Sequence, residues 1–157
     1  MSDLQVIVEP GRQDVVVKRS FDAPRETVFR AMTEPEHLAR WWGLRGTETV
    51  VDRADVRPGG SWRFVEKAPD GAEHAFHGVY HDVAAPERLV QTFEFEGAPG
   101  HVLLETHRLE DQGSRTLYTA RSVFQSVEDR DGMVAAGMES GTAQSLDALE
   151  EVVAALA

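Results

Sequence analysis

The sequence predicts an α+β domain in which a curved antiparallel sheet wraps around one long C-terminal α-helix. Three observations carry this. Segment 131–157 keeps a helical beat: Val134, Met138, Leu146, Leu149, Val153 and Leu156 recur three to four residues apart or at multiples of that, while Glu139, Gln144, Asp147, Glu150 and Glu151 take the other side. The middle of the chain is a series of alternating or β-branched runs cut by turn residues. Between the first strands and that series stand two short segments with helical apolar spacing.

In order, 4–8 and 15–21 read as strands on either side of Pro10-Gly11. Asp22-Ala23-Pro24 closes the second strand: Asp22 suits a cap, Pro24 suits a first helical turn, and Val28, Phe29 and Met32 give a short apolar face that Pro35 ends. A second short helix, 36–42, stops at Gly43, and the pair is expected to plug one end of the sheet with Leu38, Trp41 and Trp42. Strands follow at 47–56, 61–66, 75–83, 89–96, 102–109 and 116–124. Their separators are Arg57-Pro58-Gly59-Gly60, Pro69-Asp70-Gly71, Ala85-Pro86-Glu87, Gly97-Ala98-Pro99-Gly100 and Asp111-Gln112-Gly113. Loops this short make an antiparallel meander. Ser126 with Asp129 three residues on resembles a capping box leading into the long helix.

That helix would span roughly 35 Å at 1.5 Å per residue, so its stripe needs an equally long surface, and only the sheet supplies one. Gly137, Gly141 and Ser145 sit at i, i+4 and i+8 and leave one flank with almost no side-chain volume. Two helical glycines cost roughly 1 kcal/mol each relative to alanine. Either a closely packed backbone or a ligand cavity under the helix explains the notch, and a curved sheet crossed by one helix tends to leave a hollow.

With 157 residues the chain reads as a single domain, 1–157. The composition is ordinary globular, 41% hydrophobic and 27% charged, with no apolar run of the roughly 20 residues that a membrane span needs. The start of the chain lacks the pattern of a secretory signal and there are no cysteines, so the expected location is cytoplasmic, without disulfides or thiolate chemistry. A net charge of -11 argues against nucleic acid and anionic lipid as partners.

Phe21-Asp22-Ala23-Pro24, Val28-Phe29, Thr33-Glu34-Pro35-Glu36-His37-Leu38, Trp41-Trp42-Gly43, Arg57-Pro58-Gly59-Gly60, Gly71, Gly78, Pro86-Glu87-Arg88-Leu89-Val90 and the closing 145–149 segment form an ordered series of motifs. The series resembles the "activator of Hsp90 ATPase homologue-like" family of the START-like, or SRPBCC, helix-grip superfamily, from about residue 13 to the end. The resemblance implies a helix-grip fold with a cavity between sheet and long helix. Superfamily members include hydrophobic-ligand carriers, polyketide cyclases, hormone receptors and antibiotic-sequestering proteins, and the family name comes from a co-chaperone. Two positions depart from the pattern: Leu44 stands where proline is common after Trp-Trp-Gly, and Thr142 where a tryptophan commonly follows the helix glycine. Losing that ring is expected to enlarge or wet the cavity.

Among residues that could carry chemistry, His77 and His81 have the i, i+4 spacing of helical metal ligands, but in a strand they stand about 13 Å apart, and no metal site is expected. Phosphate-cradling loops, nucleophile elbows and dinucleotide fingerprints are missing, so no cofactor is expected. Glu94 and Glu96 should face water if Phe93 and Phe95 face inward. Glu105 and His107 share a face with Leu103 and Leu109, which leaves interior and rim placements open with the rim favoured. Which face of 75–83 is inside, that of His77 and His81 or that of Phe76, Gly78 and Tyr80, stays open.

The aromatics give the better site signal. Trp41, Trp42, Trp62, Phe64, Phe76, Tyr80, Phe93 and Phe95, with Met138 and Gly141 of the helix, are the candidate ligand-binding residues, and Gly97 to Gly100 is the candidate mouth or lid. The leading expectation is a carrier or receptor for a small hydrophobic or amphipathic molecule. The alternatives are a cyclase- or hydrolase-type enzyme using a cavity histidine or carboxylate, and a co-chaperone-like module with a protein partner.

Overall fold

A computed structural model describes residues 2–156, so Met1 and Ala157, the last residue of the predicted long helix, lie outside the described residues. These residues form eight strands, β1 (Gln5–Ile7), β2 (Asp14–Phe21), β3 (Glu48–Ala54), β4 (Ser61–Lys67), β5 (Glu73–Ala84), β6 (Arg88–Phe95), β7 (Val102–Gln112) and β8 (Arg115–Val123). Four helices accompany them, α1 (Arg25–Thr33), α2 (Pro35–Trp41), α3 (Val127–Ala135) and α4 (Met138–Leu156). All strands join one antiparallel sheet in the order β1-β2-β8-β7-β6-β5-β4-β3. The architecture is the predicted one: a meander closes onto β2, and helices cover the concave face. No helix is long and apolar enough to cross a membrane among the described residues.

The C-terminal helix is where the sequence reading needs correction. The predicted single helix is two, divided at Gly137, whose φ of 100° lies in the left-handed region that favours glycine. The Gly137 N–H donates to the Val134 carbonyl and closes α3, after which Gly141 N–H donates back to the Gly137 carbonyl and opens α4. Gly137 therefore breaks the helix and does not notch it. The capping expectation holds, since Ser126 Oγ accepts the Asp129 N–H at 3.0 Å. Asp22 does not cap α1: Pro24 occupies the N-cap position with no side-chain bond there.

Buried apolar residues form two clusters. The larger gathers Val15, Val17 and Phe21 of β2, Val28, Phe29 and Met32 of α1, and Leu146, Leu149, Val152 and Val153 of α4. The smaller is Leu38, Trp62, Phe64 and Tyr80, backed by Trp41, Trp42, Phe76 and Phe93. Buried arginines fix the helices to the sheet. Arg130 of α3 is 1% exposed and donates to the carbonyls of Asp14 at 3.0 Å and Glu9 at 2.9 Å, and to Asp131 at 2.8 Å. Arg19 of β2 reaches Asp147 of α4 at 2.8 Å with its guanidinium over the Phe21 ring. Arg130 is matched by three hydrogen bonds, as burial requires, whereas Arg19 has its one bond to Asp147 and a buried Nε without a partner.

The convex face carries a charge ladder. Arg63, His77 and Glu94 are register neighbours on β4, β5 and β6, and Arg63 holds Glu96 through two bonds of 2.8 and 3.0 Å. His77 lies 3.0 Å from Glu96 and 3.3 Å from Glu94. Arg63 first, and His77 after it, hold the Glu96 carboxyl down to about 2, against an ordinary value of 4.5. A carboxyl with a lowered folded-state pKa contributes stability that is complete above its unfolded value and is lost as pH falls through the folded one. The stability difference between wild type and Glu96→Gln, read from urea midpoints, should be constant above pH 5, shrink below about 4.5 and vanish near 2. A difference independent of pH would refute the pairing.

Candidate functional site

The two clusters are bridged by partly buried residues, Trp41, Val56, Val83 and Phe93. From Leu146 onward α4 buries its stripe against the sheet, but no residue between Gly132 and Ser145 is buried, because Gly137, Gly141, Thr142 and Ser145 have little volume to bury. Under this half of the helix lies a cavity of about 430 Å³. Its floor is the inner face of β4 to β8, with Phe64, Phe76, Tyr80, Phe93 and Tyr118, its end wall is Leu38, Trp41 and Trp42 of the α2 end, and its roof is Met133, Met138, Gly141 and Thr142. Volume and shape suit a small organic molecule.

Each wall has a local cause. Gly43 ends α2 at a φ of 101°, and any Cβ there would collide with the Glu66 carboxylate, so only glycine lets the chain turn here. The turn is pinned to α4 by Ser145, whose hydroxyl donates to the Gly43 carbonyl at 2.8 Å and accepts its N–H at 3.2 Å. Glu66 accepts the Leu44 N–H at 2.9 Å and the Thr47 hydroxyl at 3.0 Å. Trp41 donates its indole N–H to the Ala31 carbonyl at 2.8 Å. Trp42 then stands against the sheet aromatics, 5.1 Å from Phe64 and 5.2 Å from Phe76 between centroids, both edge to face.

Eight of the ten candidate residues line this cavity: Trp41, Trp42, Phe64, Phe76, Tyr80, Phe93, Met138 and Gly141. Trp62 and Phe95 do not. Trp62 is 1% exposed beneath the wall, packed 4.7 Å from Phe64, and donates to the Thr92 carbonyl. Phe95 stacks at 5.1 Å on Phe76 and lines a second hollow of about 310 Å³, together with His101, Phe124 and Asp129. Met133 and Ala136 line both. Gly97 to Gly100 borders neither, so the predicted lid is misplaced; the main cavity instead runs out to Leu44, which is 46% exposed and lies against Gly141. A Cβ on Gly141 would meet only that leucine, at 3.4 Å, and one on Gly137 would meet nothing, so this flank faces space and not a packed backbone.

The polar lining was the harder part to foresee. On β5 the inner residues are Phe76, Gly78 and Tyr80, which puts His77 and His81 outside, and a bulge between Tyr80 and Asp82 brings Val83 back to the core. On β7 the inner set is Leu103, Glu105, His107 and Leu109, so Glu105 and His107 are interior and not at a solvated rim. His107 Nδ1 is 2.8 Å from the Tyr118 hydroxyl, and its Nε2 is 3.8 Å from Glu105. Burial, and secondarily the Glu105 charge, pushes the phenols of Tyr80 and Tyr118 well above their ordinary value, so both stay protonated at neutral pH. Glu66, Gln91 and Tyr118 also line the cavity and were not singled out from sequence, and Ser145, read there only as part of the small-residue flank, lines it too. Glu66 alternates with Trp62 and Phe64, a period-two signal that could have found it.

A possible metal-ligand group lies elsewhere. Glu34, Glu36 and His37 bring ligand atoms within 4.8 Å of one another at the α1–α2 junction. Glu34 is already held by Arg30 at 3.2 Å and lies 3.0 Å from His37, while Glu36 is exposed.

An antiparallel sheet gripping a C-terminal helix, with a cavity left between them, defines a helix-grip domain. The comparisons agree. The sequence matches the family model described as "Activator of Hsp90 ATPase homolog 1-like protein" over residues 22–154, and the chain belongs to that family. A protein from Arthrobacter aurescens solved by solution NMR is 26% identical, with a TM-score of 0.89 over 96% of this chain and 91% of that one. A crystal structure from Nitrosomonas europaea is also 26% identical, at 0.81 over 92% and 96%. One from Rhodobacter sphaeroides, 24% identical at 0.88 over 98% and 99%, shares the fold. Among curated proteins nothing matches the sequence.

Thr142 on the roof tests whether the hollow is usable space. Thr142→Trp should fill it with an indole, raise the unfolding free energy by about 1 kcal/mol and abolish uptake of the environment-sensitive dye N-phenyl-1-naphthylamine. Unchanged dye binding would place uptake somewhere else.

Proposed function

We propose that this protein binds a small hydrophobic or amphipathic molecule between its sheet and the first half of α4. The observation that carries the reading is the roof itself: a helix bound tightly from Leu146 onward is held off the sheet from Met138 to Ser145, above a wall of aromatic rings. Core packing alone gives no reason to leave this volume open, since cavities cost stability in proportion to their size. Apolar ligand surface buried there would contribute about 25 cal/mol per Å² before the costs of association. The lining hydroxyls, Gln91 and the carboxylates would orient it. The lack of cysteine fits a cytoplasmic location, the one proposed here.

Native mass spectrometry of protein taken from its own cells, followed by a thermal-shift screen of hydrophobic metabolites and aromatic antibiotics, tests this. A ligand at 100 times its Kd stabilises by about 2.7 kcal/mol, which in a chain of this size raises Tm by roughly 5–10 °C. A bare mass together with no dose-dependent shift across the screen would defeat the reading.

A second reading, acid–base catalysis in the same cavity, is favoured by one observation: Glu105, His107 and Tyr118 converge in the lining, with a 2.8 Å contact between the histidine and the phenol. On that reading His107→Gln and Tyr118→Phe would still bind the molecule but lose at least a hundredfold in its conversion. Retained turnover in both variants would exclude it. A co-chaperone role has the family name behind it, and among the described residues the exposed large apolar side chains are Ile7, Leu44, Val79 and Leu104, of which Val79 and Leu104 flank Thr92 on the sheet.

A further inference from the structure

Resting on the reading of the cavity as a ligand site, we propose that it selects for positive charge: its occupant is an organic cation, a protonated or quaternary amine on a flat apolar body, with Glu105 as its counter-ion. The lining contains two carboxylates, Glu66 and Glu105, and no lysine or arginine, so with His107 neutral it carries a formal charge of -2. The two acids differ in how they are satisfied. Glu66 already receives the Leu44 amide and the Thr47 hydroxyl. Glu105 receives no hydrogen bond among the described residues, and its closest basic atom is His107 Nε2 at 3.8 Å, while the other ring nitrogen is engaged with Tyr118. The Glu105 side chain is only 20% exposed. The Glu105 carboxylate therefore keeps some access to solvent while lacking a donor from the chain, and a ligand ammonium beside it would supply a charge-assisted one.

The rings supply the second half of the recognition. Trp42, Phe64, Phe76 and Phe93 crowd one wall with centroids 5.1 to 6.4 Å from that of Trp42. Aromatic faces attract cations at separations up to about 6 Å, most strongly when water is excluded. Glu66 on β4 and Glu105 on β7 are three strand spacings apart, roughly 14 Å at about 4.8 Å each, and the register also offsets them along the strands, Glu105 level with Gln91 and Tyr80 and Glu66 level with His74, about 20 Å further at about 3.3 Å per residue, so the aromatic wall lies diagonally between the two acids. A ligand carboxylate or phosphate would meet like charge at either end. The net charge of -11 adds a long-range field of the same preference.

Three probes sharing one ring system separate this from simple apolar binding: naphthalen-1-ylmethylamine, naphthalen-1-ylmethanol and 1-naphthoic acid, which are cationic, neutral and anionic at pH 7. Isothermal titration against the full chain should give the amine at least tenfold lower Kd than the alcohol, with the acid weakest. Glu105→Gln should bring the amine to the level of the alcohol measured on the same variant, with its circular dichroism spectrum and thermal midpoint reporting that it is folded. Equal or tighter binding of the alcohol or the acid by wild type would overturn the charge selection while leaving the cavity as a ligand site. An amine preference that survives Glu105→Gln would overturn the counter-ion assignment, and Glu66→Gln would then show whether the other acid supplies it. Binding of none of the three would remove the cavity reading and this inference together.

Discussion

The hydroxyl of Ser145 holds the structure at its most consequential point. By donating to the Gly43 carbonyl and accepting the Gly43 amide it ties the middle of α4 to the turn after α2. On one side of this clamp, leucines and valines press the helix onto the sheet; on the other, the small residues lift away from it. A larger side chain at Ser145 would push the turn out, and any side chain at Gly43 would push Glu66 out. The clamp thus fixes both the height of the roof and the position of one acid in the lining. Neither the helix nor the two-helix plug could maintain the gap without it, because the apolar groups around an open space gain dispersion energy by collapsing into it.

The core accordingly has two buried centres, the larger between β2, α1 and α4 and the smaller beside the cavity, bridged by Trp41, Val56, Val83 and Phe93. This division is consistent with where the buried charges lie. Arg19 and Arg130 belong to the β1–β2 side and anchor the helices, whereas Glu105, which receives no hydrogen bond among the described residues, belongs to the cavity.

Most of the fold was readable because its signals are local. Gly and Pro at the turns, and period-two alternation between them, locate every strand to within two or three residues. The site was readable in its aromatics, which were assembled correctly except where depth mattered: Trp62 and Phe95 obey the same alternation as their neighbours, but one lies under the wall and the other beyond it. Gly137 was misread since a glycine on a helical period fits both a notch and a terminator, and only the backbone angle decides. The inner faces of β5 and β7 could not be chosen because both mix apolar and ionisable residues on each side, and β5 changes phase at its bulge. Acids inside a cavity violate the rule on which face assignment rests, and such violations concentrate where a protein meets its ligand.

Met133 stands between the two hollows and contributes to the lining of each. A methionine has an unbranched chain with three rotatable bonds, so it forms a partition with several resting positions. The boundary between the chambers is then set by a torsion of one side chain, while the sheet and helices stay as they are. A change in that one torsion would reshape both hollows at once.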